Sequence, residues 1–112
     1  MMSMYLLRNG FLLLLFLTIW SSSPPESPRP VTHTVEIRKM KFVPAQLEVE
    51  KGDAVVFVNK DMVIHNVTEE KKAWVSPTIP PKKSWTYTVK NSFSYYCSYH
   101  PMMKGTVKLK EY

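Results

Sequence analysis

LEVEKGDAVVFVN, residues 47–59, has the pattern of two β-strands joined by a tight turn. Leu47 and Val49 alternate with glutamates, which is the period-two pattern of a half-buried strand. The Lys-Gly-Asp sequence at 51–53 is typical of a turn. The nearly continuous apolar run that follows, up to Asn59, is typical of a strand covered on both faces. This stretch favours a β fold.

The same alternation continues on both sides of this stretch. Upstream, THTVEIRKMKF at residues 32–42 is predicted to be one half-buried strand, in which Val35 and Ile37 alternate with charged residues. Downstream, the Pro-rich residues 78–84 form a predicted turn. Each downstream segment places its apolar residues on one face: Val63, His65 and Val67; Trp85, Tyr87 and Val89; Phe93, Tyr95 and Cys97; Val107 and Leu109. No segment has a convincing helical period. About six to eight short strands with turns between them predict an all-β sandwich or a small barrel.

Residues 1–23 are predicted to be a signal peptide or a retained N-terminal anchor. Arg8 precedes the apolar run FLLLLFLTIW at 11–20. A membrane span needs about twenty apolar residues, whereas a secretory signal needs roughly seven to fifteen. Trp20 and Pro24 make a poor cleavage site, so an anchor remains the alternative. Residues 24–32 are predicted to be a Pro/Ser-rich linker, which leaves 33–112 as one folded domain.

Charge and cysteine content limit the kinds of function. The 112 residues include 15 Lys and Arg against 9 Asp and Glu, for a formal net charge of +6. The lysines are scattered and no nucleic-acid-binding motif is present, so we predict no nucleic-acid partner. A domain this small often needs a disulfide or a metal as a staple. Cys97 is the one cysteine and cannot form an internal disulfide, which leaves a metal.

Strand alternation directs potential metal ligands toward the interior. His65 and Cys97 belong to the inward sets described above. Extending the alternation of the last strand backward places Met103 inward and Met102 on the opposite side. His100 lies between Cys97 and Met103, and we expect these three residues on one tight loop between two strands.

Two imidazoles, a thiolate and a thioether are the ligands of a mononuclear blue-copper site, in which two His nitrogens and one Cys sulfur form a trigonal set with a weak axial Met. We therefore predict one copper ion per chain, bound by His65, Cys97, His100 and Met103. Taken singly, each residue is better explained as part of the hydrophobic core. His65 would be a core histidine with satisfied hydrogen bonds, Cys97 a small buried hydrophobic residue and Met103 a side chain that fills space. Their joint spacing favours copper.

Three segments together resemble the cupredoxins, most closely the amicyanin branch of the plastocyanin-like proteins: CSYHPMMKG at 97–105, VNKDMVIHNV at 58–67 and LEVEKGDAVVFVN at 47–59. The resemblance covers about residues 35–110 and implies a Greek-key β-sandwich. The amicyanin loop reads Cys, two residues, His, Pro, one residue, Met, which matches Cys97, His100, Pro101 and Met103. In plastocyanins the methionine lies two residues further on, where this chain has Gly105.

The resemblance also concerns residues that do not bind the metal. It implies that Asn66 hydrogen-bonds across to the cysteine loop and ties the two halves of the site together. The NVT sequence at Asn66 matches a glycosylation sequon, but we expect no sugar on a residue that lies against that loop. Tyr99 departs from the family, in which many relatives carry proline or a smaller residue, and this departure bears on the rigidity and exposure of the loop.

The function implied is that of a blue-copper electron-transfer protein, a monomer and not an enzyme. It is expected to shuttle single electrons between a donor and an acceptor, such as a cytochrome, dehydrogenase, oxidase or reductase. The expected location is periplasmic or otherwise extracytoplasmic, with a membrane tether if the N-terminal segment is retained. Met62, Pro101 and Met102 are expected to form an apolar rim around the exposed edge of His100, and the lysines are either a docking patch or an ordinary solvated face.

Two other functions compete with this one. An extracytoplasmic copper storage or delivery protein is the alternative, because thioethers such as those of Met40, Met62, Met102 and Met103 favour Cu(I). A hydrolase using Cys97 and His100 ranks last, because so small a β domain offers no oxyanion site and no orienting group.

Overall fold

The computed structural model describes residues 16–22 and 29–112, and within these ranges the chain forms strands and no helix. The eight strands are β1 Thr32–Arg38, β2 Lys41–Val43, β3 Gln46–Val49, β4 Ala54–Asn59, β5 Thr68–Glu69, β6 Ser84–Thr88, β7 Phe93–Cys97 and β8 His100–Leu109. The expected all-β fold is confirmed. Most of the predicted signal or anchor and part of the predicted linker lie outside the described residues. In the part that is described, no helix is long and apolar enough to span a membrane.

The strands form two four-stranded sheets, with the orders β2-β1-β4-β6 and β3-β8-β7-β5. In the first sheet β1 runs parallel to β4, with Thr32 opposite Ala54 and Ile37 opposite Asn59, and β6 is antiparallel to β4. In the second sheet β8 is parallel to β3 and antiparallel to β7. Strands adjacent in sequence are thus often in different sheets, as in the Greek-key sandwich that the resemblance implied.

The core lies between the two sheets. Val35, Val55 and Phe57 from the first sheet and Val107 from the second are fully buried. Each such side chain stabilises the fold by about 1.5–3 kcal/mol. The β4 prediction needs correction, because its residues alternate between buried and partly buried rather than being covered on both faces. At one edge of the core, the rings of Trp74 and Tyr87 stack with centroids 4.3 Å apart.

The sandwich has two ends that differ in composition. We call the first the Cys97 end; it comprises the connections at residues 39–41, 60–64, 80–83 and 98–102, where β1, β4 and β7 finish and β8 begins. We call the opposite one the Asp53 end; it comprises residues 50–53, 89–92 and 110–112, together with Val31, where the chain enters β1.

Two local predictions were wrong. The segment around Val35 and Ile37 does not continue as one strand but turns at Lys39 and Met40, both of positive φ (52° and 59°). Neither residue is the Asn or Gly that marks such a hairpin turn, so the sequence pattern missed it. Residues 63–67 are not a strand either: Val63 is exposed, and His65 makes only an isolated bridge to Ile79.

Candidate metal centre

Three potential metal ligands converge at the Cys97 end. His65 and Cys97 are fully buried, and His100 is partly exposed. The Cys97 Sγ atom lies 3.7 Å from Nδ1 of His65 and 3.8 Å from Nδ1 of His100. The three ligand atoms lie within 4.8 Å of one another. The side chains predicted from distant parts of the sequence therefore meet at one point.

These separations fit a single metal ion. First-row ions bind imidazole nitrogen at about 2.0 Å and thiolate sulfur at about 2.3 Å. Two such donors about 120° apart in a trigonal plane are separated by about 3.7 Å. Both sulfur-to-nitrogen distances agree with that value. The donor set, two imidazoles and one thiolate, is the set that copper occupies in a trigonal blue-copper site.

A hairpin, rather than a loop, supplies two of the three donors. β7 ends at Cys97, Ser98 and Tyr99 form the turn, and β8 begins at His100, which pairs with Cys97. The register shifts between Tyr96 and Cys97. His100 and Met103 lie three residues apart in β8, and in a regular strand such residues point to opposite faces. The shift allows His100 to face Cys97 although the rest of β8 keeps the alternation predicted for it.

The two methionines of this hairpin differ in burial. Met103 is 4% exposed and Met102 is 91% exposed. This is the arrangement that the alternation predicts, because Met103 continues the buried positions Gly105 and Val107 of β8 and Met102 does not.

Asn66 joins the His65 loop to the cysteine hairpin, as the resemblance implied. Its Nδ2 donates to Ser98 Oγ at 2.7 Å, and its Oδ1 accepts from the backbone N–H of Ser98 at 2.8 Å. The residue is 4% exposed, which argues against a sugar at the sequon. Tyr99, the departure from the family, is anchored by a 2.6 Å hydrogen bond between its hydroxyl and that of Thr78.

Asp61 is a functional residue that the sequence reasoning missed. Its Oδ2 accepts from Nε2 of His65 at 2.8 Å, which fixes the proton on Nε2 and leaves Nδ1 free to face the sulfur. The backbone N–H groups of Lys39 and Met40 also donate to this carboxylate. Partial burial raises the pKa of Asp61, but the hydrogen bonds from Met40, His65 and Lys39 outweigh it and lower the pKa below its usual value. An acid four residues before a histidine in an irregular loop has no periodic pattern to mark it.

Asn59 braces the loop that carries these residues. Its side-chain Nδ2 donates to the carbonyl oxygens of Val63 and Ile79 at 2.8 and 2.9 Å, and its Oδ1 accepts from the N–H of Asp61 at 2.9 Å. The loop from 60 to 64 is therefore fixed to the end of β4 without forming a strand.

Comparisons with known proteins agree with the fold and the site. The family model of the cupredoxin-like domain matches residues 11–108. Amicyanin-alpha of Methylorubrum extorquens is 33% identical over an alignment 89 positions long, and the match covers 73% of this chain and 74% of that protein. Amicyanin of Paracoccus denitrificans is 30% identical over an alignment 97 positions long, and the match covers 75% of this chain and 74% of that protein. A solved Cu(I) form of a methionine-to-alanine variant of amicyanin superimposes with a TM-score of 0.66 at 27% identity, covering 70% of this chain and 82% of the other.

The chain belongs to the cupredoxin-like family. Within that family it is amicyanin-like, and copper is the cofactor that its His-Cys-His group fits.

Proposed function

We propose that this protein is a blue-copper electron carrier, in which His65, Cys97, His100 and Met103 would hold one copper ion. The observation that carries the proposal is the near-equal approach of two imidazole nitrogens to a fully buried thiol, at 3.7 and 3.8 Å. Copper supplies the one-electron chemistry, Cu(I) to Cu(II) and back. The chain supplies the donors, their orientation and the exclusion of water.

Rigidity of the donors supports electron transfer. Cys97 and His100 are paired residues of a hairpin, and His65 is held by the backbone bridge to Ile79 and by Asp61. Groups held in this way move little when the charge of the ion changes, so little rearrangement opposes each electron transfer. One electron arrives from a reduced donor protein and leaves to an oxidised acceptor, and no bond is made or broken.

His100 is the donor through which a partner has access. It is the partly exposed member of the three, whereas His65 and Cys97 are fully buried. Met62, Pro101 and Met102 are all exposed around this end, and Met62 and Met102 are each 91% exposed. These side chains support the predicted apolar rim around His100 as the contact surface.

The finer parts of the proposal concern partners and location. The donor and acceptor are redox proteins such as a cytochrome, dehydrogenase, oxidase or reductase, and the carrier acts as a monomer without turning over a substrate of its own. The apolar run at 11–20 supports an extracytoplasmic location, either released or tethered. Sequencing the N-terminus of protein recovered from the extracytoplasmic and membrane fractions tests both forms.

Visible and electron paramagnetic resonance spectra of the copper-loaded protein test the site. We expect an intense charge-transfer band from thiolate to Cu(II), lost on reduction and lost in Cys97→Ser. Ser98→Ala is the matched control, because it changes the neighbouring turn residue and leaves all donors in place. A copper-loaded wild type that stays colourless would falsify the electron-carrier proposal.

Copper delivery is the second candidate, and the exposed methionines Met62 and Met102 favour it, because thioethers bind Cu(I). Incubating the Cu(I) protein with a competing apo-protein separates the two functions. Rapid and complete transfer of the metal indicates delivery, whereas retention through repeated oxidation and reduction indicates a carrier.

A further inference from the structure

The Cys97 end has a strong excess of positive charge. Its connections contain five lysines and a single acid, Asp61. The lysines, all exposed, are Lys39, Lys41, Lys60, Lys82 and Lys83. Asp61 contributes little negative charge outward, because its oxygens accept from two backbone N–H groups and from His65.

Neither internal pairing nor composition neutralises this charge. Among residues 16–22 and 29–112, none of the five lysines forms an ion pair with a carboxylate. The Asp53 end is balanced by comparison, since Glu50, Asp53 and Glu111 accompany its lysines Lys51, Lys90 and Lys110. The basic surplus of the folded part is therefore concentrated where His100 approaches solvent.

The Cys97 end also carries exposed apolar side chains. Met62 and Met102 are each 91% exposed, and Ile64 and Tyr99 are 43% and 45% exposed. Protein–protein interfaces commonly combine an apolar centre, which excludes water, with charged residues at the rim, which steer the encounter.

We propose that the Cys97 end docks a redox protein whose own contact surface is apolar at the centre and acidic at the rim; this rests on the proposed electron-carrier function. A second copy of this chain does not fit, because two such ends would bring ten lysines together. Opposite charge raises the rate of encounter by about 10- to 1,000-fold at low salt. Because the Debye length is about 8 Å at physiological ionic strength, salt weakens the attraction.

Stopped-flow electron transfer from two reduced c-type cytochromes, one acidic and one basic, to the Cu(II) protein tests the proposal. Each Fe(II) haem gives one electron to Cu(II) and becomes Fe(III). We expect the rate constant with the acidic cytochrome to fall as salt is added, and that with the basic cytochrome to rise. The variant Lys60→Glu/Lys83→Glu should lower the rate with the acidic cytochrome at low salt by about tenfold or more.

Lys108→Glu/Lys110→Glu is the matched control. It changes the net charge equally, but Lys108 lies eight residues along β8 from His100, about 26 Å at the rise of a strand. We expect it to change the rate less than about twofold. Equal losses in the two variants, or rates that do not respond to salt, would overturn the proposal while leaving the carrier function intact.

Amide chemical-shift mapping of the diamagnetic Cu(I) protein with the acidic cytochrome gives a readout independent of electron transfer. Shifts confined to residues 39–41, 60–64, 80–83 and 98–102 support the proposal, and shifts elsewhere overturn it. If the shifts map to these residues but neither cytochrome exchanges electrons, the proposed function fails and the docking surface stands.

Sedimentation with phosphatidylserine vesicles tests whether the Cys97 end binds an acidic membrane instead of an acidic protein. Binding to the vesicles without binding to the acidic cytochrome would overturn the protein-partner proposal.

Discussion

The side-chain amide of Asn66 makes two hydrogen bonds to Ser98, donating to its hydroxyl and accepting from its backbone N–H. These bonds connect residues 32 positions apart, so they join the loop that carries His65 to the hairpin that carries Cys97 and His100. Neither bond uses a metal-binding atom.

Asn66→Ala should therefore destabilise the metal-free protein. It removes both bonds, each worth about 0.5–1.5 kcal/mol of unfolding free energy, and leaves the partly buried N–H of Ser98 without its side-chain acceptor. Ser98→Ala is the control, because it removes only the hydroxyl partner and keeps the backbone bond, so a smaller loss is expected. Urea unfolding of the two metal-free variants gives the comparison, and equal losses would contradict the role assigned to the backbone bond.

Asp61→Ala should weaken copper binding. Without the carboxylate, the ring of His65 loses the acceptor that fixes its tautomer and orientation, and loss of such partners typically costs about 10- to 100-fold in metal affinity. Asp61→Asn retains one acceptor oxygen for Nε2 and should lose less. Competition for Cu(I) with a chelator of known affinity measures both, and an unchanged affinity in Asp61→Ala would remove Asp61 from the site.

Met103→Leu should leave copper bound but change its potential. A weak axial thioether tunes the reduction potential of a blue-copper site. We expect the potential to rise, because Cu(II) loses an electron donor, and the visible spectrum to shift. Met102→Leu, a change to the exposed neighbour, should alter neither in voltammetry and absorption; reversed effects would show that the wrong methionine was assigned.

Tyr95→Phe should stabilise the protein. The Tyr95 hydroxyl is buried and has no hydrogen-bond partner in the described part of the chain, and burial raises its pKa. Removing an unsatisfied buried group should gain about 1 kcal/mol of unfolding free energy. Tyr96→Phe, at a partly exposed neighbour, is the control and should show no such gain in thermal unfolding.

Gly105→Ala tests the close packing of the Tyr95 ring against Gly105. A Cβ at Gly105 would collide with the ring of Tyr95, which lies directly over it. Overpacking of this kind typically costs about 1–3 kcal/mol. A melting temperature unchanged from that of the wild type would show that the ring can move aside.

The carboxyl group of Asp53 makes the unfolding free energy depend on pH in the acidic range. The backbone N–H of Val31, the ring of His33 and the backbone N–H of Glu50 all donate to its carboxylate, and they lower its pKa from 3.8 to about 2. A lowered pKa in the folded state means that the stabilisation is complete above pH 4 and is lost as the pH falls toward 2. Urea unfolding of wild type and Asp53→Asn should therefore differ at pH 6 and converge near pH 2; a constant difference would count against this.

The burial of Cys97 and Met103 could be predicted because both residues obey the same rule as the core. Cys97 follows the alternation of Tyr95, and Met103 follows that of Val107. His65 was placed inward for the wrong reason: its segment is a loop, and Asn59 and Asp61, not strand pleating, hold it.

The features that the sequence did not reveal arise from contacts between distant segments. The turn at Lys39 and Met40 uses residues that do not favour positive φ, and the carboxylate of Asp61 makes it possible by accepting both of their N–H groups. The lysines of the Cys97 end are spread from 39 to 83 along the chain, so their clustering appears only once β1, β4 and β6 are aligned.

Val31 enters the sandwich beside Asp53, at the end farthest from His100. Any support attached to the polypeptide ahead of Val31, whether a lipid bilayer or an engineered electrode linker, would thus be attached at the Asp53 end. The exposed edge of His100 would then face the surrounding solution, so that redox partners could reach it while the protein stays attached.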